Sequence, residues 1–308
     1  MHTPSPHRST AAAEPMPAVA GCLRLLLLSS VAIVPGSLAH ANPALPADGA
    51  YAAGAGVITR SGATLTIDQA TARGVIDWRS FSIGAGGTVQ VNNGAGATLN
   101  RVTGGDLSHI LGSLKATGTL YLINPQGVVI GETGSVVTGG SFVASTHDVM
   151  NDAFMRGEAL LFKSDSAGRI ENLGTIASTG GNVFLIAREV VNRGSIAAPK
   201  GTVGLAGGQE ILLTENAAGN GERVFVRAGT GRVDNQGSID TVQAELKAAG
   251  GNIYALAGNN GGVIRATGSV EREGQVWLSA GDGTIQCGQT DGLTERGEWD
   301  WVGFGGIL

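Results

Sequence analysis

The chain has 308 residues, of which 42% are apolar, and a mean hydropathy of +0.14, so it can bury a sizeable core and is not a disordered chain. Its 51 glycines follow no Gly-X-Y period, which excludes collagen and indicates many tight corners. A net charge of −5 gives no electrostatic reason to expect nucleic acid as a partner, and only 2 cysteines exclude a fold held by several disulfides.

Residues 1–41 have the pattern of an export signal. Arg24 is followed by the apolar run 25–34, then by Pro35 and Gly36, and then by an A-x-A site at 39–41. A charged start, a short apolar core and a small-residue cleavage site are the three parts of a secretory signal peptide. We therefore predict cleavage after Ala41.

Two later segments have helical spacing. In residues 106–114, Leu107, Ile110, Leu111 and Leu114 fall at i, i+3, i+4 and i+7, which predicts a short helical turn. Residues 146–156 form the second segment; there Val149, Met150, Ala153 and Phe154 share one predicted face, and Gly157 is a suitable stop. We expect either segment to cover an edge or an end of the fold.

The segment 123–131 combines a rigid turn with short apolar strands on both sides. Asn124, Pro125 and Gly127 occupy the first, second and fourth positions that a type I turn favours, because Pro fixes φ and Asn can bond back to the main chain. The flanking residues 120–123 and 128–130 are apolar without helical spacing, as buried strands are.

A repeat follows along the second half of the chain. Asn172, Asn192 and Asn235 each begin an Asn-x-Gly-[Ser/Thr]-Ile segment, the first two 20 residues apart and the next 43 residues on, which we interpret as two periods. A period of about 20 residues indicates a solenoid, and asparagines at equivalent corners can stack as an amide ladder. We therefore predict an all-β fold, a right-handed parallel β-helix (solenoid) with short capping and extra-helical elements.

Four segments in this order, 76–84, 99–105, 123–131 and 140–146, resemble the amino-terminal secretion domain of the filamentous haemagglutinin family, the exoproteins of bacterial two-partner secretion. The resemblance runs from about Gly49 to about Asn260. The motif style is closest to that of the high-molecular-weight adhesins. Two departures stand out: Gln126 replaces the asparagine usual in the family, and Asn100-Arg101-Val102-Thr103 replaces an Asn-Pro-Asn-Leu segment present in some members.

The resemblance implies a secreted exoprotein that passes through the periplasm to the extracellular space or the cell surface. Its expected partner is an outer-membrane β-barrel transporter of the two-partner type, and host-cell or surface glycans are a further expected partner in adhesin-type attachment. No cofactor and no metal are expected. The residues expected to be recognised by the transporter are Asn124, Pro125, Gln126, Gly127, Asn100 and Arg101, while Asn172, Asn192 and Asn235 are expected to be structural corners.

The alternative is a β-helix polysaccharide lyase or glycoside hydrolase, which would need a pair of carboxylates in one groove. A solvated surface explains the densest acidic stretch, and neither His109 nor His147 has a partner at metal-ligand spacing, so we predict a non-enzyme without catalytic residues. The residues of this acidic stretch are Asp148, Asp152, Glu158, Asp165 and Glu171.

The predicted division of the chain is a signal peptide at 1–41, a secretion β-helix domain at 42–286 and a short C-terminal tail at 287–308.

Overall fold

The computed structural model describes residues 43–215, 222–228 and 230–248, together with the strand segments 258–260, 263–266, 270–272, 275–277 and 285–286. The predicted signal and the predicted C-terminal tail lie outside these residues. Within the described part of the chain, no helix has the length and apolar character needed to cross a membrane.

The described residues are almost entirely β-structure and contain one short helix, α1, at Asn151–Arg156. The first eighteen strands are β1 (Ala50–Ala53), β2 (Gly56–Ser61), β3 (Thr64–Gln69), β4 (Arg73–Trp78), β5 (Thr88–Asn92), β6 (Ala97–Val102), β7 (Ser108–Ile110), β8 (Ser113–Ala116), β9 (Thr119–Ile123), β10 (Val128–Ile130), β11 (Ser135–Thr138), β12 (Phe142–Ser145), β13 (Leu160–Lys163), β14 (Arg169–Asn172), β15 (Thr175–Ser178), β16 (Val183–Ala187), β17 (Glu189–Asn192) and β18 (Ser195–Gly207). The others are β19 (Glu210–Glu215), β20 (Glu222–Ala228), β21 (Arg232–Asn235), β22 (Ser238–Ala248), β23 (Gly258–Asn260), β24 (Val263–Ala266), β25 (Val270–Arg272), β26 (Gln275–Trp277) and β27 (Ile285–Gln286).

Most of these strands stack in parallel on three faces of a coil. The first face contains β3, β5, β8, β11, β15, β18, β22 and β24; the second contains β4, β6, β9, β12, β16, β18 and β22; the third contains β7, β10, β14, β17, β21 and β23. Strands β18 and β22 are long enough to contribute to the first two faces. This arrangement confirms the predicted right-handed parallel β-helix.

Alternate residues of each strand point into the coil and form its interior core. Leu120 and Leu122 of β9, Phe142 of β12 and Leu185 of β16 belong to this cluster, and all are fully buried. Because strand residues alternate between the two sides of a sheet, their neighbours must point outward.

On the second face, the outward residues are buried as well. Tyr121, Val143, Phe184 and Ala206 are at most 4% exposed and belong to a second apolar cluster. An antiparallel sheet of β13, β19 and β20, together with α1, covers them. The coil therefore has an apolar core on each side of this sheet, and the covering layer is the predicted extra-helical element.

The amino-terminal end of the coil has an antiparallel cap. Strand β1 pairs with β4, and β2 forms a hairpin with β3. Beneath them, Trp78 and Phe81 meet edge to face with ring centroids 5.5 Å apart, and both are about 1% exposed. These strands cover the first coil and are therefore short capping elements of the predicted kind.

The three repeated asparagines form a buried ladder at one corner. Asn172 Nδ2 donates to Asn192 Oδ1 at 2.8 Å, and Asn192 Nδ2 donates to Asn235 Oδ1 at 2.7 Å. All three are fully buried. The direct contact between Asn192 and Asn235 shows that their 43-residue interval is one coil, not two, because β19 and β20 are inserted within it.

The helix predicted at 106–114 is wrong. Residues there form β7, a turn and β8, so Ile110 and Leu114 reach the interior from two different strands while Leu111 is 39% exposed. Gly112 makes the turn, and a Cβ on it would lie 2.3 Å from the Gly87 carbonyl oxygen. An i, i+3, i+4, i+7 pattern thus arises here from a strand, a turn and a strand.

The second predicted helix is present but shorter. It covers Asn151–Arg156 and ends at Gly157, whose φ of +72° and N–H bond to the Phe154 carbonyl match the predicted stop. Phe154 is fully buried, whereas Met150 is 75% exposed and does not share its face. Residues 146–150, between β12 and α1, are irregular apart from an isolated bridge between Asp148 and Lys163.

Removing the middle amide of the ladder should destabilise the coil. In Asn192→Ala, Asn172 loses an acceptor and Asn235 loses a donor, so the free energy of unfolding should fall by about 2–4 kcal/mol. Urea denaturation of the mature chain measures this, with the exposed Lys200→Ala as a control near wild type. An unfolding midpoint for Asn192→Ala equal to that of the control would contradict the structural role of the ladder.

The covering sheet offers a matched pair of neighbours. Phe162 of β13 is fully buried in the second core, while Leu161 beside it is 38% exposed on the opposite side. Phe162→Ala should cost about 3–5 kcal/mol of stability through transfer and cavity terms, whereas Leu161→Ala should change it by about 0.5 kcal/mol. Equal losses for the two variants would show that β13 does not pack on the coil.

Candidate functional site

The turn at 124–127 joins β9 on the second face to β10 on the third. The Gly127 N–H donates to the Asn124 carbonyl at 3.0 Å, which closes the turn, and the Gln126 N–H donates to Asn124 Oδ1 at 2.9 Å. Gly127 has a φ of +122°, where L side chains are strained, and a Cβ there would lie 2.6 Å from Leu107 Cδ1.

Asn124 is completely buried, and its amide group bonds only within the protein. Its Nδ2 donates to the Asp106 carbonyl at 2.9 Å and to Ser108 Oγ at 2.8 Å. Its main-chain N–H donates to the Ser145 carbonyl of the next coil at 2.9 Å. The side chain therefore connects the turn to the coil below, and none of it faces solvent.

The rest of the turn differs in exposure. Gln126 is exposed, Pro125 is half-buried and Gly127 is buried. The Pro125 carbonyl accepts a hydrogen bond from Ser166 Oγ, which anchors the following coil to the turn. Gln126 is thus the residue of the turn whose side chain is open to a partner in the folded protein.

Asn100 and Arg101 lie on β6, where they pair with Leu122 and Ile123, the two residues before the turn at 124–127, and each bonds inside the protein. Asn100 is fully buried, accepts from Trp78 Nε1 at 3.0 Å and donates to the Tyr121 carbonyl at 3.2 Å. Arg101 has a side chain only 14% exposed. Its guanidinium contacts Asp148 at 2.9 Å, Asp77 at 3.3 Å and the Val149 carbonyl at 3.0 Å.

The pairing therefore brings Asn100 and Arg101 beside the turn, but because Asn100, Asn124 and Gly127 are buried, the six predicted recognition residues do not share one exposed surface. Sequence reasoning did not identify Ser108, Trp78 and Asp148 as their partners, because these residues are distant in sequence from the residues they bind. An indirect signal existed for Trp78, which lies in the resemblance segment 76–84, and for Asp148, which belongs to the acidic stretch.

Three of the five acidic residues considered for a lyase or hydrolase form ion pairs. Asp148 pairs with Arg101, Glu158 pairs with Arg156 at 2.6 Å, and Glu171 pairs with Arg169 and Arg193. These ion pairs give the three carboxylates structural partners.

Comparisons with known proteins agree with this architecture. A model of the TPS secretion domain matches residues 44–291. The heme/hemopexin-binding protein of Haemophilus influenzae (strain Rd) is 32% identical over 250 residues, which cover 77% of this chain and 27% of that protein. A second heme/hemopexin-binding protein of Haemophilus influenzae is 39% identical over 87 residues, which cover 28% of this chain and 9% of that protein.

Among solved structures, the crystal structure of the HMW1 secretion domain from Haemophilus influenzae matches with a TM-score of 0.57 at 25% identity. The match covers 72% of this chain and 66% of that one. The chain spans about a quarter of the length of the first curated relative. Because the family model covers most of the chain and the fold agrees, this chain belongs to the TPS secretion domain family of two-partner exoproteins.

Proposed function

We propose that this chain is a secreted exoprotein whose β-helical domain is recognised by an outer-membrane transporter through the turn 124–127 and the Asn100-Arg101 segment, and which serves in haemagglutinin/adhesin-type surface attachment. Family membership supports export through an outer-membrane partner. The observation that carries the proposal for the turn is the complete burial of Asn124 between two coils.

Burial limits when recognition can occur. Asn124 and Asn100 are fully enclosed in the folded coil, and Arg101 is held by two carboxylates, so a transporter can contact these side chains only before the coil forms. The chain is then recognised in an extended state in the periplasm. After export, the same side chains make the contacts that hold neighbouring coils together.

Folding outside the cell can also favour export in one direction. Each new coil adds main-chain pairing to the preceding coil and buries further apolar residues, so its stability grows coil by coil. A folded coil cannot slip back through a pore that accepts an extended chain. This step needs no nucleotide beyond the inner membrane.

Two substitutions in the turn separate recognition from folding. Gln126→Ala removes an exposed side chain that bonds nothing in the described residues, so it should lower export severalfold while stability stays within about 0.5 kcal/mol of wild type. Asn124→Ala should lower both export and stability, the latter by about 2–4 kcal/mol, because it leaves buried partners unpaired. Export is measured as the ratio of signal-cleaved chain in the medium to chain in the periplasm of cells that produce the cognate transporter.

Glu132→Ala is the matched control, since Glu132 is an exposed residue of the next turn along the chain. Wild-type amounts of Gln126→Ala in the medium would exclude direct recognition of the turn by its exposed side chain. Wild-type amounts of Asn124→Ala would exclude any role of this corner in export.

A further inference from the structure

A polar groove runs beside the edge of the covering layer on the second face, away from the turn at 124–127. Two adjoining hollows of about 290 and 310 Å³ form it, and Arg73 and Tyr121 line both. One wall comes from Gly157 and Leu160 after α1 and from Leu213 of β19. We call this feature the Arg73 groove.

The floor of the groove is one cross-strand row of the coil. Arg73 of β4 pairs with Ala97 of β6, and Ala97 pairs with Thr119 of β9; Ser141 precedes β12 in the next coil. These residues all line the second hollow. The groove therefore crosses successive coils, and its small Ala97 floor leaves room between the polar side chains.

The two hydroxyl groups in this row face the groove with their protons available. Thr119 Oγ1 accepts the Ser141 N–H at 3.1 Å, and Ser141 Oγ accepts the Asn182 N–H at 3.0 Å. Each oxygen is thus held as an acceptor by the next coil, and its own hydrogen has no acceptor among the described residues. A hydroxyl fixed in this way is prepared to donate to a ligand.

Arg73 supplies a positive charge at one end. Its guanidinium lies 5.3 Å from the centroid of the Phe154 ring, which orients it, and it makes no ion pair or hydrogen bond within the described part of the chain. Glu158 also lines this region, but Arg156 binds it through both carboxylate oxygens at 2.6 and 3.0 Å. The groove is therefore a set of donors with one unpaired cation.

The geometry disfavours a peptide as the ligand. Strands β4, β6, β9 and β12 are each paired on both sides, so no strand edge is open for an added β-strand along this row. An apolar ligand is disfavoured as well, because the floor presents an arginine and two hydroxyls. A guanidinium with free donors binds a planar carboxylate well, and hydroxyl donors suit the oxygens of a sugar.

We propose that the Arg73 groove binds a carboxylated saccharide of the uronate type, with the carboxylate on Arg73 and sugar oxygens on Thr119 and Ser141. This inference rests on the attachment role proposed above and gives that role a class of ligand.

Titration calorimetry of the purified mature chain with an oligogalacturonate hexamer tests it, with maltohexaose as the neutral probe. The hexamer should bind, maltohexaose should bind at least tenfold more weakly, and Arg73→Gln should lower the affinity for the hexamer about tenfold or more, since it removes a charge-assisted pair. Arg73→Lys should keep part of the affinity, because the charge remains without the planar fork. Arg60→Gln, which removes an exposed arginine from β2, is the matched control and should bind as wild type.

The inference would be overturned if wild type and Arg73→Gln bound the hexamer with equal affinity and had equal unfolding midpoints. It would also be overturned if Arg60→Gln lost as much affinity as Arg73→Gln, because that would indicate non-specific charge attraction. Binding of an oligoglutamate peptide at Arg73 in preference to the hexamer would overturn it too. If Arg73→Gln does not fold, Arg73→Lys takes its place. Wild-type affinity of Arg73→Lys for the hexamer, together with equally strong binding of maltohexaose, would then contradict the inference. Adherence of the purified wild-type chain to cells is scored separately, so failure of the attachment role and failure of the groove are distinguishable.

Discussion

Burial of one sheet of the coil on both of its sides is the constraint on which the rest of the structure depends. On the second face, Leu120 and Leu122 point into the coil while Tyr121 and Ile123 point into the outer core. Parallel sheets are stable when both sides are covered, because neither side then presents apolar residues to water. The continuous apolar strands of this face therefore require the covering layer of β13, β19, β20 and α1.

This constraint links distant parts of the chain. Strand β13 follows the fourth strand of the second face, whereas its partner β19 follows β18, so the covering sheet closes only after the intervening coils exist. Until then the outward residues of the earlier coils remain open to water. The domain thus gains its full stability only when residues as far as β20 have emerged, which agrees with a fold completed on the far side of the outer membrane.

Burial also encloses two of the proposed recognition residues, Asn124 and Asn100, in the folded protein. Asn124 and Asn100 donate and accept within the coil, so their chemistry is available to a partner only in the extended chain. The Arg73 groove, in contrast, is exposed on the finished coil. In the proposed function, buried residues therefore act during export and the exposed groove acts in later contact with a surface.

Much of this architecture could be predicted from local sequence. The turn at 124–127 and the corners at Asn172 and Asn192 are set by residues that are neighbours in the chain or recur at one coil length. The inserted elements could not be predicted in the same way, because the insertion of β19 and β20 lengthens the interval between Asn192 and Asn235 to 43 residues, about the length of two coils. In 106–114, apolar spacing alone could not distinguish a helix from two strands around Gly112, whose close approach to the Gly87 carbonyl depends on the preceding coil.

Native-state hydrogen exchange of the mature chain tests the doubly buried sheet most directly. The account predicts that amides of β9, β12 and β16 exchange only by global unfolding, since both sides of these strands are covered, while those of the exposed β2 hairpin exchange by local opening orders of magnitude faster. Exchange of β9, β12 and β16 as fast as that of β2 would contradict the account.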